Sequence, residues 1–511
     1  MIASDISHAV TNREWKLPKH ILPCSTIRHL HIVQYRQQSD LAFMLLVKSQ
    51  NLDEPLGLDE LMRYSLTPVP LSLGTADGFF NKTNKAALLH FFTDDSHGDI
   101  PYPKGALHIQ DGNTLFHALT NISPTFGEIC LQVLDQMVAK KDFIFSTDSY
   151  HADSIKAQER LRRGSSQRYL IQGPGTRKPN DFKLFPANDH YKTQLCVLLF
   201  KVWSSNDAAS RMEHCGTALV VVNGKAYQLQ SSDGDVAPQE VHELTSNQEE
   251  TDTRIVLYLK YAAKLGYKSA VVRTPDTDIF VILLFHYNTI GFTIFLDIGT
   301  GKHRQMVNKM VLGLYVFTGE DITSSFKGKG KIGPLKKLQR HPIHHEAFRK
   351  LGDEWSVEPE TIDDIEAFTC LMYGYSRQKS IDTVRRIMLR KMVGEDEQLT
   401  TKSKIDLSHL PPCRDNLMPH IRRVNHRLAI YKRAYIPIFW SPKPYNPEQG
   451  WEQNHEGVLE PVWSCRLVLP PALIDLVHKT TKEMEQCGDD PDGEQADQDS
   501  DNEELLSDNE D

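Results

Sequence analysis

"RTPDTDIFVILLFH", residues 273–286, places Asp276 and Asp278 one residue apart between two apolar runs, "SAVV" before and "IFVILLFH" after. A turn alone needs one aspartate and a glycine. Two carboxylates at the C-terminal end of a buried strand point instead to a bound cation. Working outward, "YKSAVVRT" is the strand that leads into the pair, and "TDTRIVLYLKYAAKLG" before it is a helix closed by Gly266. Further upstream, "GALHIQD" reads as a short strand ending at Asp111, and "DFIFSTD" as another ending at Asp148. Between these two, "TFGEICLQVLDQMVAKK" sets Phe126, Cys130, Val133 and Met137 on one helical face. "YKTQLCVLLFKVW" reads as a buried helix and "TALVVVNGKAYQLQ" as a hairpin turning at "NG". Strands alternating with helices predict an α/β fold with a mainly parallel, doubly wound sheet. Such sheets bind ligands in the crevice beyond the C-terminal strand ends, which is where Asp111, Asp148, Asp276 and Asp278 fall.

Composition narrows the class. The 511 residues are long enough for two or three domains, and 40% hydrophobic with 24% charged residues is ordinary for a globular protein. No stretch of about 18 apolar residues exists, so no membrane span is expected, and the opening "MIASDISHAVTNREWKLPKH" lacks the pattern of a secretory signal. Eight scattered cysteines without a CxxC pair exclude a zinc ribbon and a disulfide scaffold, and indicate reduced thiols in an intracellular protein. The net charge of −9 comes from residues 489–511, which carry 12 acids and no Lys or Arg. Without them, 55 acids face 58 bases, so the body is nearly neutral. The stretch 485–511 is expected to be a disordered acidic tail. Any nucleic-acid surface must therefore come from local clusters such as "KGKGKIGPLKKLQR", 327–340.

More acids lie before the opening stretch. In "SNQEETDTR", Glu250 and Asp252 stand at the first turn of a helix, where the dipole favours negative charge. Taken singly, each reads as an N-terminal cap, and a lone aspartate at a strand end as a turn former. Their joint placement at sites this topology brings together is the informative feature.

Downstream, "FTGEDITSSFKGKGKIGP", 317–334, completes a pattern that resembles the flap-endonuclease and XPG-type 5′ nucleases, a branch of the PIN-like fold. Gly319 and Asp321 match that family's glycine turn and aspartate. Gly328 and Gly330 follow at the spacing of its helix–hairpin–helix, with Lys331 where a proline is common. Asp111, Asp148, Glu250, Asp252, Asp276, Asp278 and Asp321 match its seven acidic positions in order. "EETDTR", "PDTD", "FTGED" and "GKGK" are also similar to a group of transposon-associated animal proteins that share these acids. The resemblance covers roughly 105–340.

The resemblance implies metal-dependent hydrolysis of phosphodiester bonds in nucleic acid, DNA in preference to RNA, by two Mg²⁺ or Mn²⁺ ions. It assigns Asp111, Asp148, Glu250 and Asp252 to the first ion, and Asp276 and Asp278 to the second, with Asp321 close by or acting through water. Hard oxygen ligands suit these cations, and carboxylates crowded without one would repel strongly. In "SIKAQERLRR", Lys156 and Arg162 sit at offsets where the family carries catalytic basic residues, with Arg163 an alternative to Arg162. They would bind the scissile phosphate; the alternative is a solvated helix face. Lys327, Gly328, Lys329, Gly330 and Lys331 would hold duplex phosphates through backbone N–H groups and charge.

The expected organisation is an N-terminal extension over 1–104 packing on the core, and a PIN/FEN-like nuclease core over 105–340 with a helix–hairpin–helix at 315–340. A mainly helical region over 341–484 and the tail complete it. The extension is long for the family and could occlude or reshape the site. The 102 positions from Asp148 to Glu250 imply a different arch. Glu320 is either an extra ligand or a solvated acid. "RDNLMPHIRRVNHRLAIYKRAY", 414–435, reads as a basic helix with Ile421, Leu428 and Ile430 as core candidates, packed on the sheet with an exposed basic face in preference to touching nucleic acid. "HPIHHEAF" lacks further ligands for zinc, and "GTGKHR" lacks phosphate-loop spacing and reads as a hairpin turn. A nuclear location is expected over a cytoplasmic one. The rival function is a catalytically silent, transposon-derived PIN-like module that binds nucleic acid or a protein.

Overall fold

Ile144 packs into one hydrophobic layer while its neighbours Phe143 and Phe145 pack into another. The same alternation runs through Leu219 and Val221 against Ala218, Val220 and Val222. Side chains of a strand point alternately to opposite faces, so these strands are buried on both sides. The computed structural model describes residues 46–47, 49–50, 56–92, 103–150, 154–156, 169–182, 185, 188–297, 303–304, 311–393, 406–455 and 457–475. Residues 469–475 belong to a separate unit, in which Leu473 N donates to Pro470 O. The rest of this description concerns the body that ends at Val468.

The sheet has eight strands: β1 (Leu107–Asp111), β2 (Phe143–Ser146), β3 (Ala218–Val222), β4 (Lys225–Ser232), β5 (Asp235–Glu240), β6 (Ser269–Arg273), β7 (Thr293–Asp297) and β8 (His303–Arg304). Their order is β5-β4-β3-β2-β1-β6-β7-β8. The five central strands β3, β2, β1, β6 and β7 are parallel; β4, β5 and β8 add antiparallel edges. The β3–β4 hairpin turns at Asn223 and Gly224, both with positive φ, as the "NG" pair predicts.

Around the sheet lie α1 (Ala86–Phe92), α2 (Gly112–Ala118), α3 (Phe126–Val138), α4 (Asp189–Trp203), α5 (Asn206–Met212), α6 (Thr251–Lys264) and α7 (Thr277–Ile290). The chain continues through α8 (Val311–Phe317), α9 (Ile332–Arg340), α10 (Pro359–Met372), α11 (Ile381–Val393) and α12 (Arg414–Lys432). Helices α3, α4 and α5 cover one face of the sheet. Helices α6 and α7 cover the other, joined there by α1 and the C-terminal helices. Helix α3 starts with a reciprocal capping box between Thr125 and Glu128. No described helix is long and apolar enough to cross a membrane, and the cysteines described are all free thiols.

Strand order reverses between β1 and β6, because the chain leaves β1 toward β2 and β3 and returns on the far side of β1 as β6. Gln110 of β1 pairs with Arg273 of β6, and Asp111 with Ser146 of β2. The C-terminal ends of β1, β2 and β6 therefore meet at one switch point, the place where open α/β sheets leave a crevice.

Candidate metal centre

Each acid at the switch point is positioned by a helix start. Asp111 caps α2, with Oδ1 accepting from Asn113 N at 2.9 Å and Oδ2 from Thr114 Oγ1 at 2.5 Å. Asp276 caps α7, with Oδ1 accepting from Asp278 N at 2.8 Å. Asp148 caps α6 from outside, accepting from Thr251 N at 2.8 Å. Around it, Ser149 N donates to Glu249 O at 2.7 Å, and the buried Arg254 donates to Thr147 O. The end of β2 is thereby bolted to the start of α6. Capping and ligation are compatible, since a carboxylate has about four lone-pair sites and each cap uses one or two.

Two groups of carboxylates come close enough to hold a cation: Asp252, Asp276 and Asp278, and Asp278, Glu320 and Asp321. They share Asp278. Within each group one oxygen per residue lies within 4.8 Å of the others. Burial, then Asp276, raises Asp252 well above the usual carboxylate range. Burial and Asp278 push Asp276 up to about 7, and burial and Asp148 push Asp111 up to about 6. Buried carboxylates crowded together raise one another in this way.

This division of the acids differs from the one the sequence implies. Glu250, expected beside Asp111, Asp148 and Asp252, is tied instead to Lys156 through Oε1 and to Arg427 Nη2 through Oε2 at 2.9 Å. Burial opposes its ionisation, but Arg427 and Lys156 outweigh burial and hold Glu250 at about 2. Asp111 and Asp148 belong to neither group, although the Asp148 charge acts on both Asp111 and Asp252. Glu320, open in the sequence between ligand and solvated acid, is 2% exposed and belongs to a group. Its carboxylate accepts from Asp321 N at 2.6 Å and Ile322 N at 3.1 Å. Gly319 makes this turn possible: its φ is +102°, and a Cβ would lie 2.7 Å from Ser325 N.

The acids are not left to a metal alone, which corrects the expectation of an unpaired cluster. Lys85 Nζ lies 3.0 Å from Asp278 Oδ2 and 2.6 Å from Asp321 Oδ1. Lys156 Nζ stands 3.7 Å from Asp321 Oδ2, and Arg427 Nε stands 3.6 Å from Glu320 Oε1. Although burial opposes its charge, Asp278 and Asp321 raise Lys85 above its ordinary value. Tyr315 donates its hydroxyl to Asp278 Oδ1. Still, these three cations are outnumbered by the eight carboxylates (the seven predicted plus Glu320).

Lys85, Tyr315 and Arg427 had no motif to announce them. Lys85 sits in a stretch that reads as an extension packing on the core without chemistry of its own, and Arg427 on a helix that reads as packed with an exposed basic face. Packing of α12 through Ile421 and Leu428 agrees with the structure, with Ile430 half-buried, but the exposed basic face is overturned: His420, Arg423, His426 and Arg427 are all buried. Buried cations need partners, and Arg423 finds them in Gly450 O and Val462 O, as Arg427 does in the acids.

Lys156 is anchored by its neighbours. Ser154 Oγ donates to Glu249 Oε1 at 2.8 Å, and Ile155 packs against Ile322, Trp451 and Leu459. Arg162 and Arg163 lie outside the described residues, as does the acidic tail.

The glycine loop between α8 and α9 also departs from expectation. Lys331 is 2% exposed, and its Nζ donates to Tyr315 O at 2.7 Å, Thr318 Oγ1 at 3.2 Å and Gly319 O at 2.6 Å. It caps the end of α8 and cannot meet a phosphate. Lys327 reaches Ser408 Oγ at 2.5 Å, and Lys329 lies 4.2 Å above the Tyr373 ring. Gly328 and Gly330 are exposed, with nothing within 4 Å of a Cβ built on either. The loop presents backbone outward and most of its charge inward.

No protein-family model, curated protein or solved structure matches this chain.

Proposed function

We propose that this protein is a metal-dependent nuclease of PIN-like, flap-endonuclease-like type. It would cleave phosphodiester bonds of nucleic acid, DNA in preference to RNA, using Mg²⁺ or Mn²⁺. The observation that carries this reading is the pair of carboxylate groups sharing Asp278 at the β1/β6 switch point. Two cationic positions bridged by one carboxylate are what in-line displacement at phosphorus calls for. All-oxygen ligands favour hard cations that keep part of their water. Bound there, such a cation supplies Lewis acidity to the scissile phosphate. Asp252, Asp276 and Asp278 would hold it, and Lys156, fixed by Glu250, would place positive charge beside the phosphate oxygens. The exposed backbone at Gly328 and Gly330 would meet duplex phosphates in the manner of a helix–hairpin–helix. Action on DNA would place the protein in the nucleus.

One observation favours a second reading, a catalytically silent binding module. Lys85, Lys156 and Arg427 neutralise part of the cluster, so the fold can persist without a metal. Incubating the full chain with single-stranded, duplex and flap DNA, with and without Mn²⁺ or Mg²⁺, separates the two. Cation-dependent cleavage that Asp276→Asn with Asp278→Asn abolishes supports the nuclease. Cleavage undiminished in excess chelator sinks it.

A further inference from the structure

The two carboxylate groups differ in how many of their oxygens are already engaged. In the group of Asp278, Glu320 and Asp321, every carboxylate is occupied. Asp278 holds the Tyr315 hydroxyl and Lys85. Glu320 holds two backbone N–H groups, and Asp321 faces Lys85 and Lys156. In the other group, Asp276 accepts one backbone N–H through Oδ1. Asp252 accepts no hydrogen bond among the described residues. The two groups share an acid but differ in how far their other oxygens are engaged.

We infer that the ammonium of Lys85 serves as the second cation of this site, so that the protein takes up one divalent cation, at Asp252, Asp276 and Asp278, instead of two. This rests on the proposed nuclease reading and fixes its stoichiometry. Lys85 Nζ sits between Asp278 Oδ2 and Asp321 Oδ1, at 3.0 and 2.6 Å. A divalent ion bridging the same two oxygens would need that space, with oxygens at about 2.0–2.1 Å for Mg²⁺. Ion and ammonium exclude one another.

Lys85 is not a wandering surface lysine. It directly precedes α1, whose Leu88 and Leu89 are buried in the main core. Lys82 Nζ donates to Asp321 O at 2.7 Å. Ser325 N donates to Asn81 O and Lys327 N to Ser72 O, both at 2.9 Å. The segment carrying Lys85 is thus stitched to the loop carrying Asp321. An ammonium held this way can neutralise phosphate charge as a second ion would, but has no inner-sphere position for water or substrate oxygen.

Equilibrium binding of Mn²⁺ alone to the full-length chain, counted as bound ions per chain, tests this. The expected result is one ion for the wild type, one for Lys85→Arg and two for Lys85→Met. Two ions on the wild type overturn the inference and leave the nuclease reading standing. One ion on both wild type and Lys85→Met also overturns it, because Lys85 is then not what fills the second position. No ion on any of the three overturns the nuclease reading itself. If Lys85→Met fails to fold, Lys85→Gln takes its place, with two ions again expected and one ion again overturning the inference.

Discussion

Arg427 Nη2 lies 2.9 Å from Glu250 Oε2, with both side chains almost fully buried and 177 positions apart in sequence. The same guanidinium faces Glu320 Oε1 at 3.6 Å and lies 4.4 Å from the centre of the Tyr431 ring. The C-terminal helix α12 is therefore part of the site's electrostatics and not an appended domain. Removing one partner of a buried ion pair leaves the other uncompensated, at a cost of about 3–5 kcal/mol. Arg427→Met should destabilise the protein by about that much in urea unfolding. Arg427→Lys should lose less, since it keeps the charge but not the planar fork that meets two carboxylates. An Arg427→Met protein as stable as the wild type would show that α12 does not brace the acids.

Asp276 sets a pH dependence of opposite sign to ordinary acid denaturation. Burial and Asp278 put its folded pKa at about 7, above an unfolded value of about 3.9. Folding therefore takes up a proton between these limits. The stability so gained is fully present below the unfolded pKa and is lost as pH rises through about 7. In chelator at neutral pH and above, Asp276→Asn should be more stable than the wild type by roughly 1–3 kcal/mol, with the gap narrowing toward pH 5. Asn still caps α7, so the helix start is kept. Added Mn²⁺ should stabilise the wild type and not the variant. Thermal unfolding across that range checks this, and a gap that does not change with pH refutes it.

Much of this could be read from the chain. The apolar runs at Phe143–Ser146 and Ala218–Val222 were legible as strands, and Asp111, Asp148 and Asp276 as acids closing strands. Their clustering followed from topology, because parallel strands put their C-terminal ends on one side. What stayed hidden was which cation meets which acid. Lys85 precedes Asp278 by 193 positions, and no local pattern records a contact at that range. Basic residues carry the same misreading twice. Lys331 and Arg427 look like solvated charge because most lysines and arginines are, yet each is buried where backbone carbonyls or carboxylates receive it.

Lys331 accordingly belongs to stability and not to binding. Its ammonium holds three acceptors at the end of α8 and lies 4.0 Å from the centre of the Tyr315 ring. Lys331→Met would leave Gly319 O without its donor and Tyr315 O to the 3.3 Å bond from Thr318 Oγ1, at about 1–3 kcal/mol for a group left unmet. The expected outcome is a protein with a clearly lowered urea midpoint and an unchanged salt dependence of duplex affinity. A flattened salt slope at unchanged stability would return Lys331 to the nucleic-acid surface.

Gly330 offers the cleanest test of that surface. Its φ is not in the left-handed region, and nothing stands within 4 Å of the position a Cβ would take. A side chain there should change stability by no more than about 0.5 kcal/mol. Gly328 lacks this property, since its φ of +72° would strain any replacement and confound binding with folding. If duplex phosphates approach the loop backbone, Gly330→Val must hold them off by the width of its side chain. Duplex affinity should then fall severalfold in Ca²⁺, with urea unfolding and Mn²⁺ uptake unchanged. Lys329→Ala should cost less, because that ammonium is already drawn toward Tyr373. Wild-type duplex affinity in Gly330→Val would make this segment a surface loop and confine any nucleic-acid contact to the acidic crevice.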